Sequence, residues 1–163
     1  MSWQLRRATE SDLDAIMAIE ASEFANDAWS SDMMRAEIRD NHGYYVIAHP
    51  VGEPSVVTAY AGLRSPFRSP QADIQTIAVS PDARRQGIGR ALMHALMVEA
   101  RDRGASELFL EVRDDNPSAQ HLYDSLGFER IAVRPNYYQP DGVDAIVMRL
   151  TIPEPKLSPA VGA

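Results

Sequence analysis

The stretch Arg84-Arg85-Gln86-Gly87-Ile88-Gly89-Arg90 lies between a strand-like run and the strongest helical pattern in the chain. Gly87 and Gly89 remove side chains where backbone N–H groups must come close to a ligand. The first turn of the following helix offers unpaired N–H groups at the positive end of its dipole. Arg84, Arg85 and Arg90 add mobile positive charge at the rim. The stretch is suited to an anionic group such as a phosphate. It is not a Walker loop, because the G-x-x-x-x-G-K-[ST] spacing is missing, and no third glycine completes a dinucleotide fingerprint. A plain glycine turn before a helix is the competing structural reading.

Two other residues could move protons. Glu111 sits in a strand whose opposite face carries Leu108, Leu110 and Val112, and burial beside Phe109 would strengthen it as a base. Tyr123 comes twelve residues later on the next predicted helix. A phenol titrates near about 10, so it can protonate a basic leaving group. Each has a structural alternative: Glu111 as an ordinary strand carboxylate, and Tyr123 as a core residue sharing a helical face with Ala119 and Leu126. Other chemistries lack their residues. There is no cysteine, Ser118 has no G-x-S-x-G setting, and His42, His49, His94 and His121 are scattered without carboxylates at ligand spacing, so no metal is expected.

The elements that must position these groups can be read from periodicity. Trp3 to Arg7 suits a strand. Thr9-x-x-Asp12 resembles a capping box, followed by Leu13, Ile16, Met17 and Glu20 at helical spacing. A short helix is predicted from Ser30 to Arg39. Strands follow at Tyr44–Ala48, Val56–Leu63 and Ile74–Val79. In the helix after the glycine loop, Ile88, Ala91, Leu92, Ala95, Leu96 and Ala100 form one face, and Gly104 closes it. Leu108–Arg113 is a strand dense enough in apolar residues to suggest burial on both faces. Asn116 caps a helix that has Pro117 in its first position and ends before Gly127. Phe128–Arg134 and Val143–Leu150 are the last strands. The order β-α-α-β-β-β-α-β-α-β-β predicts an α/β (α+β) domain over residues 1–150, with one mixed sheet of about seven strands flanked by about four helices. The unit from Ile74 to Arg113 should form a right-handed crossover. Residues 151–163, with three prolines, read as a disordered tail.

The chain has 163 residues, 45% hydrophobic and 24% charged, which suits one ordinary globular domain. The net charge of −7 argues against a nucleic-acid binder and for a cationic partner. Arg101 and Arg103 are expected on a solvated helix face. The N-terminal residues show no signal-peptide pattern and no run is long enough to span a membrane, so a cytoplasmic, monomeric protein is expected.

Thr76-Ile77-Ala78-Val79-Ser80-Pro81 followed by Arg84-x-x-Gly87-x-Gly89 resembles the central motif of the GNAT superfamily of N-acetyltransferases. Leu110-Glu111-Val112-Arg113-x-x-Asn116, Leu122-Tyr123-x-x-x-Gly127-Phe128, Asn136-Tyr137-Tyr138 and Asp144-Ala145-x-x-Met148 narrow the likeness to the RimI-type ribosomal protein alanine N-acetyltransferases. The resemblance runs from about residue 3 to 150 and implies a GNAT-like fold using acetyl-CoA. Pyrophosphate would lie on Arg85, Gln86, Gly87, Ile88, Gly89 and Arg90, with Arg84 at the rim. The pantetheine arm would lie along Ile77, Ala78 and Val79, and Asn116 would also contact the cofactor. It assigns Glu111 as general base and Tyr123 as general acid. Ala28, where the family often has a proline before Trp29, and Pro135 in the tyrosine loop depart from the pattern.

On the acceptor side, Phe24, Trp29, Tyr44, Tyr137 and Tyr138 are candidate groove residues, with Glu20, Glu23 and Asp27 making an acidic mouth for a basic peptide. The acceptor implied by the resemblance is the N-terminal alanine of a small-subunit ribosomal protein. A lysine side chain, a polyamine or a small amine remains open, as does a non-catalytic acyl-CoA-binding module.

Overall fold

The computed structural model describes residues 2–153. Its elements follow the expected order: β1 (Trp3–Arg7), α1 (Leu13–Phe24), α2 (Ser31–Arg39), β2 (Gly43–Pro50), β3 (Ala59–Arg64), β4 (Gln71–Val79), α3 (Ile88–Asp102), β5 (Glu107–Arg113), α4 (Pro117–Ser125), β6 (Glu129–Tyr138) and β7 (Val143–Thr151). The seven strands form one mixed sheet in the order β1-β2-β3-β4-β5-β7-β6. All neighbours are antiparallel except β4 and β5.

That parallel pair determines the site. It is joined only through Gln71–Asp73 against Glu107–Phe109. Beyond this, Ile74–Val79 keeps its β3 partners but has none on β5. A register shift at Gly62/Leu63 accompanies the parting. The sheet therefore opens between β4 and β5.

Two apolar clusters hold the layers. α3 buries Ile88, Leu92, Met93, Leu96 and Ala100 with Ala48, Ala61, Leu63, Ala72 and Leu108 of the sheet. Each fully buried Leu or Met contributes roughly 1.5–3 kcal/mol. On the other side, Leu13, Ile16 and Ile19 of α1 and Met34 of α2 pack on Tyr45, Ile47 and Tyr60. The turn before α1 is held by Asp12, which accepts from the Thr9 N–H at 2.9 Å and from both terminal nitrogens of Arg6. Those contacts hold the Asp12 carboxyl below the usual range.

Several boundaries differ from the sequence expectation. β3 starts at Ala59 rather than Val56, which is exposed. β4 starts at Gln71, ahead of the expected Ile74, and these added residues make the contact with β5. β5 buries only the Leu108, Leu110 and Val112 face; its other face is partly open, not buried. β7 includes Thr151, and Ile152 is buried and bonded to the Ser106 carbonyl, so residues 151–152 are not tail. Residues 154–163 of the expected tail lie outside the described residues. Arg103 is not solvated. It is buried, donating to the carbonyls of His42, Gly43 and Ser65 while Glu99 pairs with it at 2.8 Å. Coming just after α3, it reaches back over the β2 and β3 ends, a position helix periodicity does not reveal.

Candidate active site

The gap between β4 and β5 opens into a cleft of about 850 Å³ lined by Thr76–Val79, Arg84, Arg85, Gly89, Asn116, Ala119, Leu122 and Tyr123. The free edge of β4 offers backbone donors and acceptors to an extended chain, as in strand addition. At one end stands the glycine loop. Gly87 has φ +77° at the N-cap of α3, and a Cβ there would meet nothing within 4 Å, so the space before the helix terminus is open. Arg85 also has positive φ and lines the cleft. Trp3 fixes the loop by donating from Nε1 to the Gln86 carbonyl at 3.3 Å. Gly89 faces Leu122 and Val79, and a Cβ there would meet them at ordinary contact distances of 3.5 and 3.9 Å.

The arginines of this loop divide their duties. Arg84 pairs with Glu23 and donates to the Val79 carbonyl at 3.3 Å. Arg90 donates to Ser125 Oγ at 2.6 Å. Both are engaged with protein groups, so neither is the mobile rim charge expected from sequence. Arg85 makes no ion pair among the described residues and is the cation left for an anion. The Ile88 side chain is buried in the core, so only its backbone can serve a ligand. Asn116 caps α4 by accepting from the Ala119 N–H at 3.2 Å and also lines the cleft.

Glu111 and Tyr123 line this same cleft. Tyr123 is buried and meets Phe128 edge-on with ring centroids 5.9 Å apart, and its hydroxyl makes no hydrogen bond to protein among the described residues. Burial raises its phenol well above the ordinary value, with a smaller contribution from Tyr138. It is therefore a protonated group lining the space between the strands. The Glu111 side chain is 29% exposed and lies 3.4 Å from Arg134 Nε. The burial beside Phe109 expected from sequence is thus incomplete, because the outer face of β5 borders open space.

That space is a second cleft, about 750 Å³, lined by Trp29, Asp73, Phe109, Arg134, Tyr137 and Tyr138 among others. Glu111 borders both clefts. A long anionic donor can enter between the strands from one side, and a second reactant can reach Glu111 from the other. The sequence profile described as the acetyltransferase (GNAT) family matches residues 13–128. The chain belongs to the GNAT family. It is thus an acetyl-CoA-dependent N-acetyltransferase, and the cleft with an open strand edge and a glycine cradle fits that cosubstrate.

Relatives of this GNAT enzyme are similar over most of its length. An N-alpha-acetyltransferase RimI of Mycobacterium tuberculosis is 35% identical over 144 residues, covering 86% of this chain and 87% of that protein. An uncharacterized protein of Mycobacterium leprae is 36% identical over 144 residues, 86% of this chain but only 38% of that longer protein. The crystal structure of the ribosomal-protein-S18-alanine N-acetyltransferase from Escherichia coli has a TM-score of 0.82 and 33% identity, covering 98% of this chain and 100% of that one.

Phe24 and Trp29 line the donor cleft, and Trp29, Tyr137 and Tyr138 line the second. Tyr138 is pushed up to about 12 by burial, then by the charge of Glu111. Tyr44 lines neither. Neighbouring strand residues point to opposite faces, and Tyr44 packs with the α3 cluster under Arg7 and Arg103. The acidic mouth also differs. Glu20 is 1% exposed, accepting from Tyr60, from Thr76 Oγ1 at 3.2 Å and from the Trp29 N–H at 3.0 Å. It positions Trp29 and β4 from the wall of the donor cleft. Glu23 is paired with Arg84.

Asp27 joins an arrangement that sequence reasoning missed. Arg113 pairs with Asp27 and with Asp115 and Asp141 at 2.9 and 2.7 Å, and lies 5.0 Å from the Tyr138 ring. It ties the turn after α1, the β5–α4 loop and the β6–β7 hairpin. The three acids are distant in sequence, and only the fold brings them together.

The donor cradle is tested by Gly87→Val. A β-branched residue is strained at positive φ and occupies the space before the α3 terminus. In the parent, acetyl-CoA at 100 times its Kd adds about 2.7 kcal/mol of stability. Differential scanning fluorimetry should show that thermal shift lost in Gly87→Val. A full shift in the variant would place the phosphate elsewhere.

Proposed function

We propose that this enzyme acetylates the N-terminal α-amino group of a protein, the alanine of a small-subunit ribosomal protein, with Glu111 as general base and Tyr123 as general acid. The observation that carries the reading is the position of Glu111 where the donor and acceptor clefts meet, with the protonated Tyr123 on the donor side. Support for the acceptor comes from the relatives, two of which are named for N-alpha or S18-alanine acetylation. The reading places a monomer in the cytoplasm, acting on a basic N-terminal peptide.

In this scheme the backbone of Ile77–Val79 holds the pantetheine arm, and the Gly87–Gly89 loop with Arg85 holds the phosphates. The acetyl thioester then lies between β4 and β5. Glu111, directly or through a water, takes the proton from the acceptor ammonium so that its lone pair can attack the thioester carbonyl. As the C–S bond of the tetrahedral intermediate breaks, the Tyr123 hydroxyl gives its proton to the departing sulfur, and the second proton shed by the acylated nitrogen passes through solvent to restore the phenol. General acid and base steps of this kind are each worth about 10²–10⁴-fold.

The pKa of the nucleophile favours α-amines. An N-terminal amine titrates near about 8 and lysine near about 10.4, so at neutral pH roughly a tenth of the former but under one in about a thousand of the latter is neutral. Incubation of a peptide panel with acetyl-CoA, read by fragmentation mass spectrometry, should show modification at the α-amine of peptides beginning with Ala before basic residues. Modification chiefly at internal lysines would overturn the reading in favour of a side-chain acceptor.

A further inference from the structure

Carboxylates bordering the two clefts almost all have partners. Asp27 and Asp141 pair with Arg113, Glu23 with Arg84, and Glu111 with Arg134, while Glu20 accepts from Tyr60, Thr76 and Trp29. Asp73 is the exception: among the described residues it makes neither an ion pair nor a side-chain hydrogen bond, although it lines the second cleft. Its cross-strand neighbour Arg64 is directed to Asp40 at 2.7 Å and to Glu37 at 3.9 Å.

Asp73 stands opposite Phe109 in the parallel register, which puts it on the same sheet face as Phe109 and Glu111. Glu111 is two residues further along the adjacent strand. Strand spacings of about 3.3 Å per residue and about 4.8 Å between strands separate their Cα atoms by about 8 Å. An acceptor with its α-amine at Glu111 has its second Cα about 3.8 Å beyond the first. An extended Arg or Lys side chain covers the remaining distance. Asp73 stands exposed at the cleft wall. Partial desolvation and then the charge of Glu111 raise its carboxyl against the opposing pull of Arg64, and a ligand cation would supply the ion-pair partner it lacks.

We propose that Asp73 is a specificity-determining residue, pairing with an Arg or Lys side chain immediately after the N-terminal residue of the acceptor. The inference rests on the N-terminal reading above. The test uses the full-length enzyme and matched peptides Ala-Arg, Ala-Gln and Ala-Glu with identical remaining sequence, comparing kcat/KM ratios within each variant. The parent should prefer Ala-Arg over Ala-Gln by about fivefold, the upper range for a partly solvated pair, mainly through KM. Asp73→Asn should bring that ratio near one. Asp73→Glu should retain the preference, and Asp73→Lys should reverse it towards Ala-Glu. Melting curves on each sample confirm folding. An unchanged preference in Asp73→Asn, with α-amines still acetylated, overturns the role of Asp73 alone. Absence of α-acetylation by the parent on every peptide overturns the N-terminal reading and the inference with it.

Discussion

Glu111→Gln is expected to lower kcat/KM by about 10²–10⁴-fold, the usual cost of losing a general base, while acetyl-CoA affinity changes little. The substitution keeps the shape of the side chain on β5 and leaves Phe109 and Val147 around it, but removes the proton acceptor and the charge facing Arg134. The deficit should shrink as pH rises. An α-amine with a pKa near about 8 becomes mostly neutral above that value, so it needs less help in losing its proton. A complete pH–rate profile with a melting curve on the same sample makes the comparison. Near-parental rates in a folded Glu111→Gln protein would reduce Glu111 to a strand carboxylate and assign the base to another group.

Tyr123→Phe should cost a similar factor but follow a different profile. The ring remains against Phe128 and keeps its packing, so the loss is confined to one hydroxyl. Burial keeps that phenol protonated far above its ordinary range, which suits a donor whose charged form is disfavoured in the cleft. High pH supplies no proton to a departing thiolate, so the Tyr123→Phe defect should persist where the Glu111→Gln defect recovers. Parallel recovery in both variants would remove Tyr123 from the acid role. A leaving group more acidic than CoA should narrow the gap for Tyr123→Phe and leave Glu111→Gln unmoved.

The donor half was legible because its signals are local. Glycine punctuation, an apolar stripe and Gly104 mark α3 without knowledge of its neighbours. The acceptor half depends on pairing. Gln71-Ala72-Asp73 is short and mostly polar, and its pairing with Glu107–Phe109, joined at Asp73 by Arg64 of β3, makes it strand. Asp73 therefore falls outside the strand expected from sequence, which begins at Ile74. Tyr44 and Tyr45 could not be sorted by residue type, since the strand alternation sends one to each layer. The β6 extension through Pro135 to Tyr138 was hidden by a proline and by the left-handed Asn136, both of which read as turn. An irregular register between Arg134 and Tyr138 accommodates them at the sheet edge.

The Arg113 junction has a consequence for how such an enzyme changes over generations. One guanidinium serves three loops and an aromatic ring. A substitution at Asp27, Asp115 or Asp141 is felt by the other two, so these loops diverge as a linked set, each step conditional on the last. Asp73 is on a different strand and outside that set. A lineage can exchange it in one step and retune its preferred partner while the rim around the acceptor keeps its ancestral shape.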